Sequence, residues 1–157
     1  MKRRNLLSLA AALAATAALP SLAQSSLAKP SLPQVDVYKN PECGCCGAWV
    51  DHLKASGFVV KVHETADTAP VRKRHGIPDA LGSCHTAVVG GYGVEGHVPA
   101  ADIKRLLLEK PSAAGLSVPG MPVGSPGMEV GSRKDAYQVL LVDKAGRTRV
   151  FSSYAKS

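Results

Sequence analysis

The chain of 157 residues carries 19 Lys+Arg against 12 Asp+Glu, a formal net charge of +7, with 4% aromatic residues and four cysteines. Part of that basicity sits at the start, in Lys2, Arg3 and Arg4, and the densest later basic stretch is Arg72-Lys73-Arg74, expected to be a solvated helix face. With neither a long basic run nor interleaved aromatics, the composition argues against a nucleic-acid partner and for one small domain with a modest core.

Residues 1–23 have the form of a removed export signal. Lys2-Arg3-Arg4 is followed by an apolar run from Leu6 to Leu19 and by Ser21-Leu22-Ala23, a small-x-small cleavage site. The run falls short of the ~20 residues of a membrane-spanning helix and polar Gln24-Ser25-Ser26 follow it, so no membrane span is expected in the mature chain. A retained anchor is the alternative, and Arg3-Arg4-Asn5-Leu6-Leu7 also loosely fits a twin-arginine signal. The expected location is the periplasm. Removing three of the 19 basic residues and none of the 12 acidic ones leaves about +4 on roughly 134 residues.

Residues 24–33 are rich in Ser, Ala and Pro and read as a flexible leader, which places the domain at 34–154. Val35 to Tyr38 alternates as a strand that ends at the Asn40-Pro41 turn, with the cysteine-bearing loop directly after it. From Cys46 to Ser56 the apolar Trp49, Val50 and Leu53 recur at helical spacing, and Gly57 is placed to end the helix. His52 falls on its opposite, solvated side. Phe58 to Val62 suits a second strand, with His63 free to pair with Glu64 or an adjacent acid. Asp67-Thr68 caps a short helix through His75, which Gly76 stops. Thr86 to Val89 and Tyr92 to Val98 read as two further strands around Gly90-Gly91. A helix then runs from Pro99 to Lys110 on Ile103, Leu106 and Leu107, stopped by Pro111. This order is that of an α/β, thioredoxin-like domain. Two additions follow: a long Gly/Pro loop from Ala113 to Gly131, and a C-terminal hairpin of Tyr137–Asp143 with Arg147–Phe151 packed beside the core.

The chemistry is concentrated in Cys43-Gly44-Cys45-Cys46 and in Cys84-His85. Packing does not explain several soft ligands at one spot, because a buried structural cysteine needs no neighbouring cysteine. Thiolates at a helix start are stabilised by its unpaired N–H groups, which favours nucleophilic attack or metal binding. Cys43 and Cys46 have the Cys-x-x-Cys spacing of a thiol-disulfide exchanger, whereas Cys45 would invite competing disulfides and is useful to a soft metal. In the periplasm that metal is copper. Adjacent Cys45 and Cys46 diverge, which favours sulfurs bridging more than one ion. In such a fold the loop before the third strand faces the helix start, making Cys84 a fourth sulfur and His85 a ligand, a base or a hydrogen-bonded strand histidine.

Cys-Gly-Cys-Cys-Gly-x-Trp, His63-Glu64, Ser83 to Ala87, Gly91-Tyr92, Glu95-Gly96-His97-Val98-Pro99 and the two Pro-Gly-Met units of residues 118–129 closely resemble one family. These are the small exported copper-resistance proteins of the CopG type, formerly a domain of unknown function and unrelated to the plasmid repressor of the same name. The resemblance spans roughly Val35 to Ser153. It implies a thioredoxin-like fold whose four cysteines hold a copper cluster with interchange between Cu(I) and Cu(II).

Further candidate ligands are Met121 and Met128, whose thioethers suit Cu(I) and resist disulfide formation, against an alternative role as apolar pegs anchoring the loop. His97, near the end of the fourth strand, is a ligand or a partner of one. Expected partners are copper ions and other periplasmic copper-handling proteins. The competing readings are a thiol-disulfide oxidoreductase using Cys43 and Cys46, and a structural Cys₄ zinc domain. The second is disfavoured because such zinc sites use two separated knuckles.

Overall fold

The structure, a computed structural model, describes residues 31–156. The export signal and the leader up to residue 30 lie outside the described residues. The elements are strand β1 (Val35–Lys39), helix α1 (Gly44–Ala55), β2 (Val60–Glu64), helix α2 (Ala69–Arg74), a 3₁₀ turn (Asp79–Leu81), β3 (His85–Val89), β4 (Tyr92–Glu95), helix α3 (Ala100–Glu109), β5 (Gly115–Ser117), β6 (Tyr137–Val142) and β7 (Thr148–Tyr154). No helix among the described residues is long and apolar enough to cross a membrane.

One mixed seven-stranded sheet runs in the order β2-β1-β3-β4-β5-β6-β7. Strand β1 pairs parallel with β2 and antiparallel with β3, which pairs antiparallel with β4. Alternation in β1 buries Val35, Val37 and the stem of Lys39 and leaves Asp36 and Tyr38 partly open. In α1, Cys46, Trp49, Val50 and Leu53 are buried at i, i+3, i+4 and i+7, one helical stripe. Gly57, at φ +89, closes that helix: its N–H donates to the Lys54 carbonyl while the Phe58 N–H reaches back to Leu53, a Schellman ending. Ile103 and Leu106 of α3 join the stripe of α1 and the inward faces of β1, β3, β4, β5 and β6 in a single core, with Leu107 half-buried at its margin.

Several expectations are corrected. Residues 113–131 are not wholly irregular, since β5 lies inside them. It pairs parallel with β4 and antiparallel with β6, so the last two strands extend the sheet through it. The strand has only three residues, Gly-Leu-Ser, and its first must be glycine: a Cβ at Gly115 would stand 1.8 Å from the Gly93 carbonyl oxygen. Strand β2 begins two residues later than the apolar pattern suggested, because Phe58 is used to close α1. Strand β4 stops at Glu95, where Gly96 turns the chain at φ +72 and carries His97 off the strand. Arg72 is not on a solvated face. It is buried and ion-paired with Asp79 at 2.9 Å and with Glu95 at 3.5 Å.

Candidate metal centre

The cysteine cluster is built into the start of α1 and not into a loop before it. Cys43 is the N-cap and Cys45 and Cys46 occupy the first turn, which contains no acidic residue to offset the positive end of the helix. Cys46 is fully buried, as the first member of the apolar stripe, while Cys43 and Cys45 are half-buried. Cys43 and Cys46 are joined by a disulfide, and Cys45 and Cys84 are free. The Cys45 sulfur lies 3.5 Å from that of Cys43.

Cys84 arrives from across the sheet, in the turn that precedes β3. Its carbonyl is 3.6 Å from the Cys46 sulfur. All four cysteine sulfurs lie within 4.8 Å of one another. A second group, Cys84, His85 and His97, converges equally closely. The Cys84 sulfur is 3.3 Å from His85 Nδ1 and 3.1 Å from His97 Nε2.

The turn bearing Cys84 is held by Glu95, the first residue of the Glu95-Gly96-His97 stretch. This buried carboxylate accepts the Ser83 N–H and the Thr86 hydroxyl, each at 2.6 Å, and faces the Arg72 guanidinium, itself tied to Asp79. Burial pushes the Glu95 carboxyl above its usual range, and the Thr86, Ser83 and Arg72 donors act against that shift. Glu95 lies on the sheet face opposite core residue Val94, level with Thr86, so strand alternation gave no signal of its burial. Its partners come from two separate segments, α2 and the turn into β3.

Electrostatics favour neutral donors at the centre. Burial, with Cys45 beside it, pushes the Cys84 thiol up to about 11, so a metal ion must displace its proton. Burial lowers the His85 imidazole to about 3, with His97 adding to the effect, and burial lowers His97 as well. Both rings are therefore ready to donate lone pairs at neutral pH. Trp49 packs its indole against His85, centroids 4.3 Å apart, and donates its Nε1–H to the Val98 carbonyl at 2.8 Å.

The Gly/Pro loop leans on this centre through both of its Pro-Gly-Met units. At the first, the Ser83 hydroxyl donates to the Gly120 carbonyl at 2.6 Å. At the second, His97 Nδ1–H donates to the Pro126 carbonyl at 2.8 Å, and Gly127 sits against the Cys45 carbonyl and the Trp49 backbone. Met121 is 53% exposed and Met128 half-buried. The other histidines lie elsewhere. His52 is not solvated: its Nε2 accepts the Ala100 N–H at 3.0 Å. His63 pairs with Asp36 across the strands at 2.8 Å, not with Glu64, and His75 caps the end of α2.

With this geometry in view, the comparisons with known proteins are specific. Two solved structures, forms 1 and 2 of the copper resistance protein CopG, are each 50% identical to this chain. Form 1 has a TM-score of 0.75 over 79% of this chain and 98% of its own, and form 2 a TM-score of 0.74 over 78% and 98%. The chain belongs to the CopG-type copper resistance family. A family profile described as a protein of unknown function, DUF411, matches residues 81–128, the CopG-type segment that runs from the Cys84 turn through His97 to Met128. No curated protein sequence matches significantly.

Proposed function

We propose that this chain is an exported, periplasmic copper-binding protein of copper resistance. Cys43, Cys45, Cys46 and Cys84 hold a thiolate-ligated, multinuclear copper cluster that passes between Cu(I) and Cu(II), and residues 1–23 are cleaved on export. The reading is carried by one observation: four cysteine sulfurs converge within 4.8 Å in a chain whose 50%-identical relatives are copper resistance proteins. Thiolates select Cu(I), and four sulfurs this close, two of them from adjacent residues, can be shared between ions. The Cys43–Cys46 bond withholds two of those thiolates, so loading of the full cluster requires its reduction.

His85 and His97 stand as nitrogen donors beside Cys84, and Met121 and Met128 serve as thioether groups through which copper is loaded from other periplasmic copper-handling proteins. The first four strands, in the order β2-β1-β3-β4 with β2 alone parallel to β1, support a thioredoxin-like unit to which β5 and a C-terminal hairpin have been added.

The test is the copper content and X-ray absorption spectrum of the reduced mature protein, loaded without oxygen. Several Cu(I) ions per monomer with sulfur neighbours are expected. A single copper with mainly nitrogen or oxygen neighbours would refute the cluster.

A second reading has its own support. The Cys43–Cys46 disulfide spans a Cys-x-x-Cys at a helix start, with the outer sulfur half-buried and the inner one fully buried, as thiol-disulfide exchange requires. Cys45→Ser separates the two, because an exchanger can dispense with Cys45 and a cluster cannot. Full copper stoichiometry in that variant, together with disulfide reductase activity abolished by Cys43→Ser, would make the oxidoreductase the better reading.

A further inference from the structure

Lys39 is a buried cation with no anion beside it. It lies on the inward face of β1, 8% exposed, and takes part in no ion pair among the described residues. Arg72, the other buried cation among them, meets both Asp79 and Glu95. Of the acids near Lys39 in the sheet, Glu64 is in register with it on β2 but exposed, and Asp36 is engaged by His63. An unpaired buried charge destabilises a fold, so its retention calls for a reason.

Lys39 stands at the margin of the metal centre. It is directly opposite His85 across the β1–β3 pair, and after burial and His97 its charge also acts to lower the His85 imidazole. Its ammonium donates to the Asn40 carbonyl at 2.8 Å and to the Pro41 carbonyl at 3.4 Å. The Asn40 carbonyl accepts the Cys43 N–H as well, at 3.1 Å, so the ammonium is held beside the turn that delivers the first cysteine to α1. The start of α1 is itself electropositive and has no acidic residue in its first turn.

In the metal-free, disulfide-bonded form the centre offers these positive charges no anion. Cys43 and Cys46 are bonded to each other, and burial, with Cys45 beside it, keeps Cys84 a thiol. Copper loading changes that. Each thiol that binds gives its proton to solvent, and a Cu(I) held between two thiolates is an anionic unit. We infer that Lys39 is the counter-charge of the thiolate–copper unit, a positioning residue that acts on the bound ion through space and is not a ligand. Without copper its burial weakens the fold, and with copper it gains the anion it lacks. The inference rests on the copper-cluster reading and adds to it a residue outside the donor set.

Two substitutions test it. Lys39→Met removes the charge and nearly keeps the volume, while Lys61→Met, at an exposed position of β2, removes the same charge away from the centre. In the metal-free, disulfide-bonded protein, Lys39→Met should leave Tm equal to that of Lys61→Met or raise it, because replacing a buried charge by an apolar residue of similar volume is often neutral or stabilising. The turn gains no orphaned acceptor, since the Asn40 carbonyl keeps the Cys43 N–H and Pro41 is exposed. In the reduced protein, without oxygen, competition with the Cu(I) chelator bicinchoninate measures the affinity for the first Cu(I) equivalent. It should fall about ten- to hundredfold in Lys39→Met, the range for groups just outside a metal's ligands, and stay unchanged in Lys61→Met. A Tm below that of Lys61→Met, whatever the affinity, would make Lys39 a holder of the turn and overturn the inference. Equal Cu(I) affinity in the two variants would overturn it too, whatever the Tm. Failure of the unsubstituted protein to bind Cu(I) through sulfur would overturn the cluster reading and this one together, whereas normal binding by it and equal binding by Lys39→Met would overturn this inference alone.

Discussion

Gly127 sets how closely the Gly/Pro loop can seat on the metal centre, so Gly127→Ala tests whether that seating matters. A Cβ there would stand 2.7 Å from the Cys45 carbonyl oxygen and 2.8 Å from the Trp49 amide nitrogen, both backbone atoms of α1 that cannot swing aside as a side-chain tip could. Gly120, in the other Pro-Gly-Met unit, is the internal control: its φ is +71 against +84 for Gly127, but nothing lies within 4 Å of a Cβ placed on it. Both alanines incur the left-handed backbone penalty of about 1–2 kcal/mol. Only Gly127→Ala adds overpacking, worth about 1–3 kcal/mol. At roughly 3 °C per kcal/mol for a domain of this size, Gly120→Ala should lower Tm by about 3–6 °C and Gly127→Ala by about 6–15 °C. Thermal unfolding of the metal-free, disulfide-bonded protein by circular dichroism measures both. If the loop retreats, the His97-to-Pro126 hydrogen bond goes with it, and the ¹⁵N signal of His97 Nδ1 should report its loss in Gly127→Ala and its persistence in Gly120→Ala. Equal Tm losses would refute the claim that the loop rests on the start of α1.

Three further outcomes are expected. Replacing Met121 and Met128 together by leucine should cost less than about 1.5 kcal/mol, because volume is conserved, yet slow copper loading from a weak Cu(I) donor in stopped-flow transfer. An unchanged rate at an unchanged Tm would assign both methionines to packing. Glu95→Ala strips the acceptor from the Ser83 N–H, the Thr86 hydroxyl and Arg72 at once, so denaturant unfolding should show a loss of about 3–5 kcal/mol, the range for breaking a buried charge pair. A loss under about 1 kcal/mol would mean that the Cys84 turn is held by something else. The hydrogen bond from His63 holds the Asp36 carboxyl below its usual range, partly opposed by burial. Its contribution to stability is therefore present above the ordinary aspartate range and lost as pH falls through the lowered folded value. NMR titration of the Asp36 carboxyl should show the value moving back up in His63→Ala, and no movement would show that the His63 contact does not cause the shift.

The local elements were legible because their signals are short-range. The stripe of Trp49, Val50 and Leu53, the Gly57 helix ending, the alternation of Val35 and Val37 and the stop at Pro111 each depend on neighbours within a turn or two of chain. The chemistry of Cys43, Cys45, Cys46 and Cys84 was legible for a different reason, since packing rarely calls for three thiols in four residues. Strand β5 was not legible, because three residues beginning with glycine carry no period, and it is a strand only because Gly93 and Gly115 let two backbones approach closely. The burial of Arg72 was not legible for a related reason: in sequence it is one member of a basic triplet, and only the folded α2 brings it against Asp79 and Glu95. By itself, then, the sequence determined which groups could bind a soft metal and which short elements would carry them. The tertiary structure decided that Cys84 shares one sulfur between a thiolate group and a histidine group, that Glu95 holds its turn, and that Pro126 orients His97. The contacts of Ser83 with Glu95, His97 with Pro126 and Cys46 with Cys84 join residues 12, 29 and 38 positions apart, set by sheet register and by the path of the Gly/Pro loop, which no local pattern of side chains records.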